Sequence, residues 1–139
     1  IIYKYFNSTA KNPTLNISNS DGSDWKKLAD IEDIADNRII IATVPQSSLV
    51  SFWVIPDAQK ENTLNIVSIA GGGNIEKIVE GKFGADYLWS PKGEKFLVSS
   101  ISEKGSGNMI LEIGTLDDKG ENLIGLKFPT LVSKCVWSK

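Results

Sequence analysis

Asp86-Tyr87-Leu88-Trp89-Ser90-Pro91-Lys92-Gly93-Glu94-Lys95-Phe96-Leu97-Val98-Ser99-Ser100 decides the fold. It reads as strand, tight turn, strand. Pro91 presets one turn angle and Gly93 accepts a left-handed one. Tyr87 and Trp89 alternate with Asp86 and Leu88 before the turn; Phe96 and Val98 alternate with Lys95 and Ser99 after it. Strict alternation over so short a run marks strands with one face packed. Lys134-Cys135-Val136-Trp137-Ser138-Lys139 begins the same motif again, placing Trp137 48 residues after Trp89.

Other parts of the chain recur at the same spacing. Thr14-Leu15-Asn16-Ile17 returns as Thr63-Leu64-Asn65-Ile66 after 49 residues, and Leu111-Glu112-Ile113 follows Leu64-Asn65-Ile66 after 47. Each copy runs into a turn: Asn19-Ser20-Asp21-Gly22, Gly71-Gly72-Gly73, and Asp117-Asp118-Lys119-Gly120. A short amphipathic strand follows each turn: Trp25-Lys26-Lys27-Leu28, Ile75-Glu76-Lys77-Ile78, and Leu123-Ile124-Gly125-Leu126. A period of 47–49 residues holding four short strands predicts an all-β fold, a partial β-propeller of four-stranded antiparallel blades.

The expected layout is one repeat array over residues 1–139. Residues 1–30 form a partial blade with strands at 1–6, 14–19 and 25–29. A second blade over 39–80 has strands at 39–44, 49–55, 63–69 and 74–79. A third over 85–127 has strands at 85–90, 95–101, 109–116 and 123–127. Residues 132–139 open another with its inner strand. The middle unit is degenerate at its first turn, where Thr43-Val44-Pro45-Gln46-Ser47-Ser48 keeps the proline but lacks the tryptophan and glycine. Residues 24–35 contain helix-compatible positions, yet 25–28 matches its two repeat partners and reads as strand then loop.

These residues resemble the TolB-like, WD-related β-propeller repeat family. Trp89-Ser90-Pro91-Lys92-Gly93 is similar to its Trp-Ser-Pro-Asp-Gly inner-strand ending, with Lys92 in place of Asp, and residues 19–28, with Asp21 and Gly22, are similar to its outer hairpin. The resemblance implies that Trp89, Ser90, Pro91, Gly93, Asp21, Gly22 and Trp137 are structural motif residues. It also implies a longer propeller, with the remaining blades of the same protein as packing partners, and an extracytoplasmic or membrane-anchored setting. The sparse arginine and the Ile, Lys and Asn content suit a bacterial protein, and Ile1 rather than Met at the first position predicts a segment of something longer.

Composition narrows the chemistry. The chain has 139 residues, a net charge of -2 and a single arginine, Arg38, which disfavours nucleic acid as a partner. No apolar run reaches the roughly 18 residues of a membrane span. Histidine is absent, which removes Ser-His-Asp and Cys-His catalysis and histidine-metal clusters from this segment. None of the 17 acids is singled out as a pair by spacing. The Asp21 loop lacks calcium-loop spacing, because Ile17 and Leu28 stand where acids are needed, so it reads as an Asx-type hairpin turn. Gly71-Gly72-Gly73 leads into an alternating strand rather than a helix, so it reads as a turn and not a phosphate loop. Cys135 alternates with Trp137 and reads as a small buried hydrophobe. Asn7-Ser8-Thr9 and Asn16-Ile17-Ser18 fit the glycosylation pattern, which is frequent by chance.

No catalytic residue, cofactor or metal site is therefore expected. The aromatic residues are expected in the core, with Trp25 and Trp53 as surface binding candidates because neither has an aromatic counterpart in the other repeats. The expected function is a non-catalytic scaffold for protein–protein interaction, with specificity carried by the loops at 7–13, 30–38, 56–62 and 102–108. The alternatives are a substrate-gating propeller of a prolyl-oligopeptidase-type hydrolase and a small-ligand or sugar-binding propeller.

Overall fold

The computed structural model describes residues 1–5, 13–31, 38–55, 61–71, 74–101, 109–119, 121–128 and 136–137. The described residues form eleven strands: β1 (Ile2–Tyr5), β2 (Thr14–Ile17), β3 (Lys26–Asp30), β4 (Arg38–Thr43), β5 (Leu49–Ile55), β6 (Asn62–Ser68), β7 (Glu76–Gly81), β8 (Phe83–Trp89), β9 (Lys95–Ile101), β10 (Met109–Thr115) and β11 (Ile124–Phe128). Among the described residues there is no helix, and 25–30 is coil then strand. The strands make three antiparallel sheets in unbroken chain order: β1-β2-β3, β4-β5-β6-β7 and β8-β9-β10-β11. The unit that looked degenerate in sequence has all four of its strands. Of the expected strand at 132–138, only residues 136–137 are described, and they are not in a strand; Cys135 lies outside the described residues.

The sheets pack face to face in two cores. Leu15, Leu28, Ala29 and Ile31 of the first sheet meet Val50, Phe52, Val54 and Val67 of the second. The opposite face of the second sheet carries Trp53, Leu64, Ile66, Ile78 and Val79 against Trp89, Phe96 and Val98 of the third. The middle sheet is thus buried on both sides, and five consecutive residues of β5, from Val50 to Val54, are buried. Continuous burial is the mark of a strand with no solvent face.

Thr-Leu-Asn-Ile repeats as a geometry as well as a sequence. In both copies the Asn amide donates to the Thr hydroxyl two residues back, Asn16 to Thr14 at 3.1 Å and Asn65 to Thr63 at 2.9 Å. The pairing register slips in both just after the leucine, leaving Leu28 and Ile78 as extra residues in β3 and β7. A bulge lets neighbouring residues share a face. Leu28 with Ala29, and Ile78 with Val79, are accordingly buried side by side. It also brings the flanking charges together across three positions, as the ion pairs Lys27–Asp30 and Lys77–Glu80. The third sheet has Glu112 where the asparagines stand, and β10 pairs with β11 without a slip. Partial burial holds the Glu112 carboxyl above its usual range.

The proline turns show how a lost glycine is replaced. Val44 N–H bonds Leu49 O and Ser47 N–H bonds Val44 O, matching Ser90 to Lys95 and Gly93 to Ser90. The left-handed residue differs: Gly93 in one turn, with φ 73°, and Gln46 in the other, with φ 56°. Proline followed by a left-handed residue is the type II pattern, so the turn closes at the same length by moving the strained position one residue earlier. The two turns touch, Gly93 lying directly against Pro45 O.

Candidate interaction surface on the first sheet

The outward face of the first sheet is set by register. Tyr3 pairs with Asn16 and Tyr5 with Thr14, so these four side chains share one side, while Ile2, Leu15 and Ile17 point toward the second sheet. Trp25, one residue before β3, completes a groove of about 390 Å³ lined by Tyr3, Tyr5, Asn16 and Trp25. Trp25 is 65% exposed and Tyr5 is 51% exposed. Asn16 forms the floor at 2% exposure, and its Oδ1 is buried with no hydrogen-bond partner. A buried amide oxygen left unpaired costs about 1–3 kcal/mol. Chemically the groove offers aromatic faces for stacking over a buried amide.

Trp25 and Trp53 part company. Trp53 is fully buried, which corrects its reading as a surface binding candidate. Its ring lies 5.8 Å from both Phe83 and Tyr87, and its Nε1 donates to Gly84 O at 3.2 Å. The reason is the two-sided burial of β5: with both faces covered, a tryptophan needs no aromatic counterpart in the other sheets to be core.

The motif residues occupy three places. Trp89 is 7% exposed and packs edge-on against Phe96, with centroids 5.7 Å apart. Ser90 is buried and its hydroxyl accepts from Lys95 N–H at 3.1 Å, bracing the turn that Pro91 and Gly93 make. Asp21 Oδ1 accepts from both the backbone and hydroxyl of Ser23, an Asx turn in which Gly22 takes φ 84°. Those hydrogen bonds hold the Asp21 carboxyl below its usual range. Trp137 is half-buried, and its Nε1 has no partner.

Two polar residues that the sequence reading passed over join the second and third sheets. Ser51, fully buried, accepts from Trp89 Nε1 at 2.8 Å, lies 3.0 Å from the Tyr87 hydroxyl and donates to Ala42 O at 3.2 Å. Burial pushes the Tyr87 hydroxyl up to about 12, against an opposing hydrogen bond with Ser51. Asn62 donates to Phe83 O at 2.7 Å and Gly84 O at 3.1 Å. A serine and an asparagine inside otherwise apolar strands were the available signal, since buried polar groups are kept where they find partners.

Among the described residues, no group of three or more His, Cys, Asp or Glu side chains could hold a metal ion. No helix among them is long and apolar enough to cross a membrane. The four expected binding loops fall largely on residues outside the described ones, but the strand ends they join are placed. The ends of β1, β3, β5 and β9 and the starts of β2, β4, β6 and β10 lie together at one end of the sheets, where Lys82 alone links β7 to β8, and the proline turns lie at the other. In comparison with known proteins, no family model, curated protein or solved structure matches this chain.

Proposed function

We propose that this chain is part of a β-propeller array that works as a non-catalytic scaffold for protein–protein interaction. The observation that carries the reading is the repeated step between sheets. Each described meander follows chain order, and β1 sits against β4 as β5 sits against β8. Successive antiparallel meanders, each packed on the one before, support the propeller reading, because propeller blades follow one another in this way. Long connections gathered at one end of such a stack supply variable binding loops on a rigid support. The absence of histidine supports a role in binding rather than hydrolysis for this segment.

Blades in a propeller splay outward from the axis, whereas sheets of a plain sandwich stay about 10 Å apart throughout. Spin-label distances test this. Thr43 and Leu88 mark the first strands of the second and third sheets; Glu76 and Ile124 mark the last. Cysteine pairs at Thr43/Leu88 and at Glu76/Ile124, with Cys135→Ser, are expected to give a clearly longer distance for the second pair. Equal distances would refute the radial arrangement.

A further inference from the structure

The second sheet passes into the third through Lys82 alone, whereas residues 31–37 separate β3 from β4. The short crossover is tied down from several strands. Asn62, buried at the start of β6, aims its amide at two carbonyls, donating to Phe83 O at 2.7 Å and Gly84 O at 3.1 Å. An asparagine amide carries two N–H donors, so both are committed here. Gly84 O also accepts from Trp53 Nε1 of β5 at 3.2 Å, and the Phe83 ring packs on the Trp53 ring. Gly84 itself lies against Ser99 of β9, whose hydroxyl a Cβ would strike. One glycine thus gathers two strands of the second sheet and one of the third.

The tie is not a feature of the repeat. Pro13 and Met109 occupy the place of Asn62, two residues ahead of the recurring leucines Leu15, Leu64 and Leu111. Neither side chain can donate a hydrogen bond. Its place in the fold is at the loop-bearing end. Trp53 and Asn62 lie on either side of the connection from β5 to β6, and Ser99 stands near the end of β9. These are the strand ends that carry the expected loops at 56–62 and 102–108. Ser51 joins the same two sheets nearer the turn end, through Tyr87 and Trp89.

We propose that the clasp of Asn62 on Gly84 is a conformational device that holds the roots of these two loops at one fixed separation, with Asn62 as the positioning residue. The proposal rests on the scaffold reading only in what the loops are for. Preset spacing lowers the ordering cost of binding. Directional bonds at this end set it, where apolar packing alone would tolerate sliding.

Spin labels at opposite ends of the interface test the clasp, in the full chain with Cys135→Ser. A cysteine pair at Glu61/Ile110 reports the loop roots, and a pair at Ser48/Lys92 reports the proline turns. With Asn62 unchanged, both pairs should give narrow distance distributions. Asn62→Asp keeps the shape but sets an acceptor against two carbonyls; it should broaden the root pair and leave the turn pair narrow. Asn62→Ala removes the donors without adding charge; it should do the same to a smaller extent, and it decides the matter if the aspartate variant does not fold. Ser51→Ala should leave the root pair narrow. A root pair that is broad with Asn62 in place, stays narrow in the Asn62 variants or broadens in Ser51→Ala would overturn the proposal. So would equal broadening of both pairs by the Asn62 variants, which would mark Asn62 as a general support of the interface. The Thr43/Leu88 and Glu76/Ile124 distances are read separately, so failure of the clasp and failure of the radial arrangement are distinguishable.

Discussion

The indole N–H of Trp89 donates to the hydroxyl of Ser51 at 2.8 Å, across the interface between the second and third sheets. Tyr87 shares the same oxygen at 3.0 Å. One buried hydroxyl thus fixes how two aromatic side chains of one strand dock on the neighbouring sheet. Apolar packing alone tolerates sliding; a directional bond into a closed core does not.

Replacing Ser51 by alanine removes this acceptor without changing the strand. Trp89 Nε1 would be left unpaired in the core, and the expected loss is about 1–3 kcal/mol. Urea unfolding followed by tryptophan fluorescence measures it. A loss below about 0.5 kcal/mol, the range of ordinary surface changes, would show that the bond is incidental.

Tyr87 makes the fold sensitive to alkali. Its hydroxyl is raised to about 12 in the folded chain, against about 10 for a free tyrosine. The neutral form is therefore the one the fold favours. Its contribution is complete below about pH 10 and is lost as pH rises toward 12. Thermal unfolding from pH 8 to pH 12 should show the wild type losing its advantage over Tyr87→Phe across that window. A constant difference between the two would contradict the assignment.

Two left-handed glycines separate backbone strain from crowding. A Cβ at Gly22 would meet nothing within 4 Å, whereas at Gly93 it would lie 2.3 Å from Pro45 O. Gly22→Ala should cost about 1 kcal/mol, the conformational term alone. Gly93→Ala adds a steric clash between two turns and should cost about 2–4 kcal/mol. Denaturant midpoints of the two variants give the comparison, and equal losses would mean that the turns move apart freely.

The recurrence of Thr-Leu-Asn-Ile and of the aromatic hairpins made the antiparallel meanders legible in sequence, because turn chemistry and alternation are local. The bulges were not read, although Leu28-Ala29 and Ile78-Val79, adjacent apolar pairs between a lysine and an acid, were their signal. Alternation assumes an unbroken register, and that assumption hid them. The Asn16 groove was also out of reach. It depends on which sheet faces find a neighbour, a property of stacking order that no single strand encodes.

Trp25 and Trp53 looked alike in sequence and should behave oppositely. Trp53 is fully buried, touches two aromatic rings and donates a hydrogen bond to Gly84 O. Its truncation to alanine should cost about 3–5 kcal/mol. Trp25 is 65% exposed over an open groove. Trp25→Ala should change the unfolding free energy by no more than about 0.5 kcal/mol. Urea unfolding of the two variants, followed by the remaining tryptophan fluorescence, decides the matter. A large destabilisation by Trp25→Ala would mean that the indole belongs to the fold of its own sheet and not to an open face.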